Sequence, residues 1–142
     1  VKTLKQLLQI KGSAVHSIGP QASVFDALKM MAEKDVGALL VLDQGRLAGI
    51  MSERDYARKV ILLGKSSHEI PVRDIMTANV VTVSTSQTVE GCMSLMTARR
   101  IRHLPIVEGE RLLGLLSIGD LVKEVIAEQE QTIRQLESYI HS

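Results

Sequence analysis

Apolar positions along this chain fall into two alternating periods, one helical and one extended. Leu4, Leu7 and Leu8 stand at i, i+3 and i+4, which predicts a short amphipathic helix ending near Gly12. Val15 and Ile18 mark a brief extended segment closed by Gly19 and Pro20. Ser23 then opens a helix, with Asp26 as the reaching carboxylate of a capping box, and Val24, Ala27, Leu28, Met31 and Ala32 form its inward stripe. Ala38 to Asp43 is almost wholly apolar, the pattern of a strand buried on both faces. Gln44 and Gly45 turn the chain into a second strand, Arg46 to Ser52. A helix is expected from Ser52 to Gly64, with Tyr56, Val60, Ile61 and Leu63 at its apolar positions.

A connector with Ser66, Ser67, Pro71 and a helical turn around Asp74, Ile75 and Met76 follows, and then the order restarts. Val80 to Val83 reads as a strand. Thr88 caps a helix that turns Val89, Cys92, Met93 and Met96 inward, and strands His103 to Val107 and Leu112 to Ser117 flank a turn at Gly109. Setting Val15 against Val80 gives an offset of 65 residues that holds without a gap as far as Ile61 and Ile126. Along it Val24 meets Val89, Met31 meets Met96, Gly49 meets Gly114, Ser52 meets Ser117 and Asp55 meets Asp120. Such register marks an internal duplication.

The expected fold class is therefore α/β (α+β). Two tandem β-α-β-β-α motifs are related by a pseudo-twofold axis, with an N-terminal helical arm and an extended C-terminal helix. The boundaries fall at 1–12 for the arm, 13–64 for the first motif, 65–79 for the connector, 80–126 for the second motif and 127–142 for the extension. Two equivalent halves leave two related clefts between them. In the last helix Val122, Ile126, Ile133, Leu136 and Ile140 follow alternating spacings of three and four, with Gln129 as the polar exception. Nothing else in the chain is left to cover this stripe, so a homodimer through this helix is expected, the alternative being a tail that folds back on its own body.

Composition narrows the chemistry. Aromatic residues are 2% of the chain and Trp is absent, which argues against reading nucleic acid by base stacking. A net charge of +1 supplies no basic field for a polyanion, though a few local donors suffice for a small anion. Cys92 stands alone, without a partner for a disulfide or a metal-binding spacing, and falls at an apolar helical position. It reads as a buried inert thiol in a reducing compartment, and the methionines read as core filler rather than metal ligands. No apolar run approaches the roughly 18 residues of a membrane span, and Val1 to Ile10 lacks a signal-peptide core. The expectation is a soluble, cytoplasmic protein with no nucleic-acid, membrane or metal partner.

The repeated stretch Gly49 to Asp55, echoed by Gly114 to Asp120, carries the candidate chemistry. Each places a hydroxyl and a carboxylate three residues apart at the mouth of a helix. Free N–H groups and the positive helix end there suit a phosphate, which Ser52 and Arg54 could also hold. Asp55 suits the paired hydroxyls of a ribose. The same Ser and Asp spacing is equally a helix-capping box; recurrence at one place in a duplicated unit is what favours a nucleotide.

These two stretches, together with Arg102-His103-Leu104-Pro105-Ile106-Val107, resemble the motifs of a CBS-domain pair, or Bateman module, over roughly Val15 to Ile126. The resemblance implies that Ser52 and Asp55, and Ser117 and Asp120, bind the phosphate and ribose of an adenosine ligand. It implies phosphate contacts from Arg102 and His103, whose counterparts Gly37 and Ala38 have no donor side chain. Adenine is expected against Ile18 and Leu40 in one cleft and against Val83 and Pro105 in the other. Arg54 has no counterpart in the second motif, where Gly119 stands, so the two clefts should differ, the second favouring AMP-like monophosphates.

The implied function is a regulatory adenine-nucleotide sensor, binding AMP foremost, with ATP, ADP, NAD or S-adenosylmethionine as alternatives, and acting on a separate effector protein. A small nucleotide hydrolase using Ser117, His103 and Asp120, or an interaction scaffold with non-functional clefts, are the rival readings. A histidine on a strand is often a structural residue, and His16, His68 and His141 lie in loop or terminal contexts without an assigned role.

Overall fold

The computed structural model describes residues 2–11 and 15–141. The chain divides into two compact units. One, the first-repeat unit, holds Ala14–Val81 with Gly109–Leu113; the other, the second-repeat unit, holds Val1–Ser13, Thr82–Glu108 and Gly114–Ser142.

In the first-repeat unit, β1 (Ser17–Ile18), α2 (Val24–Lys34), β2 (Ala38–Asp43) and β3 (Arg46–Ser52) build a three-stranded sheet in the order β1-β2-β3 beside one helix. β1 runs parallel to β2, with Ser17 opposite Leu40, and β3 runs antiparallel to it, with Ala38 opposite Ser52. Gln44 and Gly45, at φ of 52° and 81°, form the left-handed pair that a tight hairpin requires. Val24, Ala27 and Met31 of α2 meet Leu39, Val41 and Met51 of the sheet, with Val60, Val72 and Ile75, in one buried cluster. Ser23 caps α2 by accepting from the Asp26 N–H at 3.0 Å. The expected return bond from the Ser23 N–H to the Asp26 carboxylate is not part of this cap, and Ala32 faces solvent because the inward stripe closes at Met31.

The helix expected from Ser52 to Gly64 is broken up. α3 covers only Glu53–Tyr56 before the chain widens into a π-helical turn at Ala57–Ile61. That wider turn shifts the helical phase, so Val60 is buried and Tyr56 half-buried while Ile61 and Leu63 are exposed. The connector's helical turn lies at Val72–Asp74, earlier than expected, because Pro71 holds the extended conformation just before it.

In the second-repeat unit, α1 (Leu4–Lys11), α4 (Val89–Arg99), β4 (His103–Glu108), residues 114–117 of β5 (Arg111–Ser117) and α5 (Ile118–His141) are the regular elements, and β4 and β5 form a two-stranded sheet. Burial follows the duplication closely. Val89, Cys92, Met96, Leu104, Ile106 and Leu116 are all buried, as are Val24, Ala27, Met31, Leu39, Val41 and Met51 at the matching places. Both α2 and α4 end on a left-handed residue, Asp35 at φ 54° and Arg100 at φ 55°. The strand expected at Val80 to Val83 does not form; only Val83 bridges, in parallel, to Ile106. Ser84 instead bonds locally, its N–H donating to Gln87 Oε1 at 2.9 Å, and such local bonds compete with a ladder.

The N-terminal arm and the connector prove to be equivalent pieces. The connector pairs with the start of α2 through the Ser23–Pro71 bridge, with Val24 N–H donating to Ile70 O and Val72 N–H to Ala22 O. The arm pairs with the start of α4 through the Thr3–Thr88 bridge, with Val89 N–H donating to Lys2 O and Leu4 N–H to Gln87 O. Leu4 and Leu7 are buried as Val72 and Ile75 are. Lys2 to Leu8 thus matches Ile70 to Met76 at an offset of 68, outside the gapless 65-residue register.

Candidate functional site

Both glycine-led motifs end in the same arrangement. In the first, the Ser52 N–H and Oγ–H both donate to Asp55 Oδ2, at 3.0 and 3.1 Å, and the Asp55 N–H donates back to Ser52 Oγ at 3.2 Å. In the second, the Ser117 N–H and Oγ–H donate to Asp120 Oδ2 at 2.8 and 2.9 Å, and the Asp120 N–H returns to Ser117 Oγ at 3.1 Å. Each is a reciprocal capping box, and all four side chains are half-buried.

The helix mouths are less open to an anion than free first-turn N–H groups would be. The Glu53 N–H donates to Gly37 O at 3.1 Å and the matching Ile118 N–H to Arg102 O at 2.8 Å. With the Asp N–H groups taken by serine, two first-turn donors at each mouth are already bonded. Cationic side chains must therefore carry more of any phosphate contact. The Ile118–Arg102 bond ties exposed Arg102, and with it half-buried His103 at the start of β4, to the mouth holding Ser117 and Asp120. Arg54 is exposed on the first turn of α3, next to Asp55.

The apolar residues expected against adenine are mostly enclosed. Ile18 is half-buried on β1, whereas Leu40, Val83 and Pro105 are buried. Leu40 lies beside β1, opposite Ser17, and the Val83 N–H donates to Pro105 O at 3.0 Å, so each apolar pair lies across two neighbouring, hydrogen-bonded segments.

Lys59 escaped the sequence reading. Its Nζ stands 3.3 Å from Asp55 Oδ1 and donates to Ile75 O at 2.9 Å. The Asp55 to Lys59 spacing of i, i+4 was the available signal. At the matching place in the second repeat stands Glu124, buried and in ion contact with Lys2 Nζ at 2.5 Å. Among the described residues no further hydrogen bond reaches that oxygen, so Lys2 carries its charge compensation. The two aspartates thus have neighbours of opposite charge one turn along.

The glycines that open the motifs are sites of close approach. A Cβ at Gly49 would lie 2.7 Å from Met76 Sδ and 2.8 Å from Thr77 O, and one at Gly114 would lie 3.0 Å from Leu8 Cδ2. The connector therefore covers the first motif's strand as the arm covers the second's. Cys92 is buried, and burial pushes its thiol up from the ordinary value.

The CBS domain family profile matches residues 9–61 and 72–127, covering both repeats. This chain belongs to the CBS-domain family. A solved CBS-domain protein from Burkholderia ambifaria is 50% identical and superposes with a TM-score of 0.87, covering 90% of this chain and 96% of its own. Among curated relatives, the mitochondrial CBS domain-containing protein CBSX3 of Arabidopsis thaliana is 43% identical over 83% of this chain, which spans 60% of that protein's length. The CBS domain-containing protein YhcV of Bacillus subtilis is 32% identical, with 75% of this chain and 76% of YhcV aligned. The tandem CBS fold implied by the resemblance is the fold of the solved Burkholderia ambifaria protein. No helix among the described residues is long and apolar enough to cross a membrane.

Proposed function

We propose that this CBS-domain chain is a regulatory module that binds adenosine nucleotides at its two Ser and Asp motifs and acts, as a homodimer, on a separate effector protein. The observation that carries the reading is the recurrence of one three-bond Ser and Asp arrangement at the same place in both repeats. A cap alone needs neither the glycine-led strand before it nor the identical geometry in both copies. Ligand binding exchanges the Ser Oγ–Asp bond for bonds to the ligand, the carboxylate accepting from ribose hydroxyls and the serine donating to phosphate. Arg102 and His103 add cationic and polar donors at the second motif, which favours AMP there. ATP, ADP, NAD and S-adenosylmethionine share the adenosine part.

A ligand shifts a partner's activity only through a difference in its affinity for two states of the module. The reading is of a regulator and not of a catalyst, since Ser117 and Asp120 are bonded to each other in one capping box, better placed to hold a ligand together than to relay a proton. A reducing, cytoplasmic setting fits the lone buried Cys92.

Calorimetry with AMP, ADP, ATP, NAD and S-adenosylmethionine tests the proposal. Binding below millimolar by at least one of them, lost in Asp120→Ala or Asp55→Ala, is expected. No binding by any of them sinks the sensor reading in favour of a scaffold, and multiple turnovers of a bound nucleotide would favour the hydrolase.

A further inference from the structure

From Gln129 to His141 every residue of α5 is exposed, so the last three turns bury none of their side chains within their unit. A helical segment of that length without packing is marginal in water. Along it the apolar stripe Val122, Ile126, Ile133, Leu136 and Ile140 is between 42% and 74% exposed. We propose that α5 pairs with α5 of a second copy as a parallel, in-register, two-stranded coiled coil. The inference rests on the homodimer reading and fixes the direction of the pair.

Three features of the stripe lead to it. The spacing places Ile126, Ile133 and Ile140 at the a positions of consecutive heptads and Val122, Gln129 and Leu136 at the d positions. Isoleucine at every a position, with leucine at the d position 136, favours two strands within a parallel coil.

Gln129 separates the two directions. In a parallel pair it meets its own copy, and the two amides can bond to each other across the seam. In the antiparallel arrangement that overlaps the whole stripe, Gln129 lies against Ile133, and a buried amide there loses its partner. A single polar layer of this kind is a known way of fixing register.

Flanking charge does not reverse the choice. Lys123, Glu130 and Glu137 occupy e positions, and Val125, Thr132 and Tyr139 occupy g positions. Parallel strands set e against g, so each charge meets an uncharged residue. Antiparallel strands join Lys123 to Glu137 but set Glu130 against its own copy. Exposed ion pairs contribute little, so the buried amide decides.

The test uses the full chain with single cysteines at Leu136→Cys and Ile140→Cys. Gln135→Cys serves as an off-stripe control, and wild type, with only buried Cys92, serves as a blank. Light scattering reports the mass of each, and mild oxidation followed by non-reducing electrophoresis reports covalent dimers. The expected result is a dimer in solution, with at least tenfold faster disulfide formation at positions 136 and 140 than at 135. A dimer in which positions 136 and 140 cross-link no faster than 135 overturns the parallel coiled coil while leaving the homodimer reading intact. A monomer overturns both.

Discussion

Alanine at Gly49 and at Gly114 should have very different effects, although the two positions are equivalent in the repeats. Neither glycine has a left-handed φ, so the backbone accepts alanine at both. What differs is the neighbour. At Gly49 the new methyl meets Met76 Sδ at 2.7 Å and the backbone oxygen Thr77 O at 2.8 Å. That oxygen accepts from the Ile50 N–H at 3.0 Å, and the Thr77 N–H donates to Ile50 O at 2.9 Å, so it cannot retreat without straining both bonds. Overpacking of this sort costs about 1–3 kcal/mol, and each bond weakened adds up to about 1 kcal/mol. The reduced freedom of the unfolded chain returns about 0.4–1 kcal/mol.

A net loss of roughly 2–3 kcal/mol is expected for Gly49→Ala on these terms. At Gly114 the only close atom among the described residues is Leu8 Cδ2 at 3.0 Å, the far end of a flexible side chain. Rotation of Leu8 relieves most of that contact, so Gly114→Ala should lie within about 1 kcal/mol of wild type. Urea unfolding followed by far-UV circular dichroism measures both, and thermal midpoints should separate by about 2–4 °C per kcal/mol. Equal losses, or a larger loss at Gly114, would refute the reasoning that a bonded backbone covers the first motif and a flexible side chain the second.

Further outcomes follow from other parts of the structure. Ser23→Ala removes a cap outside both motifs and should lower stability by about 0.5–2 kcal/mol while leaving nucleotide affinity unchanged in calorimetry; Asp120→Ala should lose affinity. Lys2→Leu leaves buried Glu124 without its cation and should cost about 1–3 kcal/mol in urea unfolding. The double variant Lys2→Leu with Glu124→Leu should recover most of that loss, because apolar replacement of a buried pair is often neutral or better.

Cys92 should stay unreactive toward an aromatic disulfide reagent in the native protein and react at once in urea. Burial raises its thiol in the folded state. The neutral thiol therefore favours the native state fully below the ordinary thiol value, and this contribution is lost as pH climbs from there through the raised value. Cys92→Ala should flatten that alkaline loss in a series of unfolding curves.

Much of the fold was legible because the duplication repeats a burial pattern, and burial follows side-chain type along each strand and helix. Leu39 with Leu104, Met31 with Met96 and the hairpin at Gln44 and Gly45 needed no tertiary information. The misses were of one kind. Ile61 and Leu63 are apolar but outward, since a π-helical turn changed the phase that periodicity assumes. Val80 and Val81 are β-branched but unpaired into a strand, since the serines and Gln87 that follow bond locally. Lys59 was invisible as a partner of Asp55 because a lysine on a helix is usually solvated, and it is the Ile75 carbonyl, distant in sequence, that helps draw its end inward.

By itself the sequence determined the two repeats, the order of their elements and the Ser and Asp pairs at the helix mouths, because all of these depend on local pattern and on self-comparison at one offset. Tertiary structure decided that the N-terminal arm completes the second repeat as the connector completes the first. Those pairings are set by backbone bonds between segments distant in sequence, Leu4 with Gln87 and Val72 with Ala22, at an offset of 68 that the gapless register could not reach. It also decided how open each helix mouth is, since carbonyl oxygens from before β2 and β4 take up N–H groups that sequence alone leaves free.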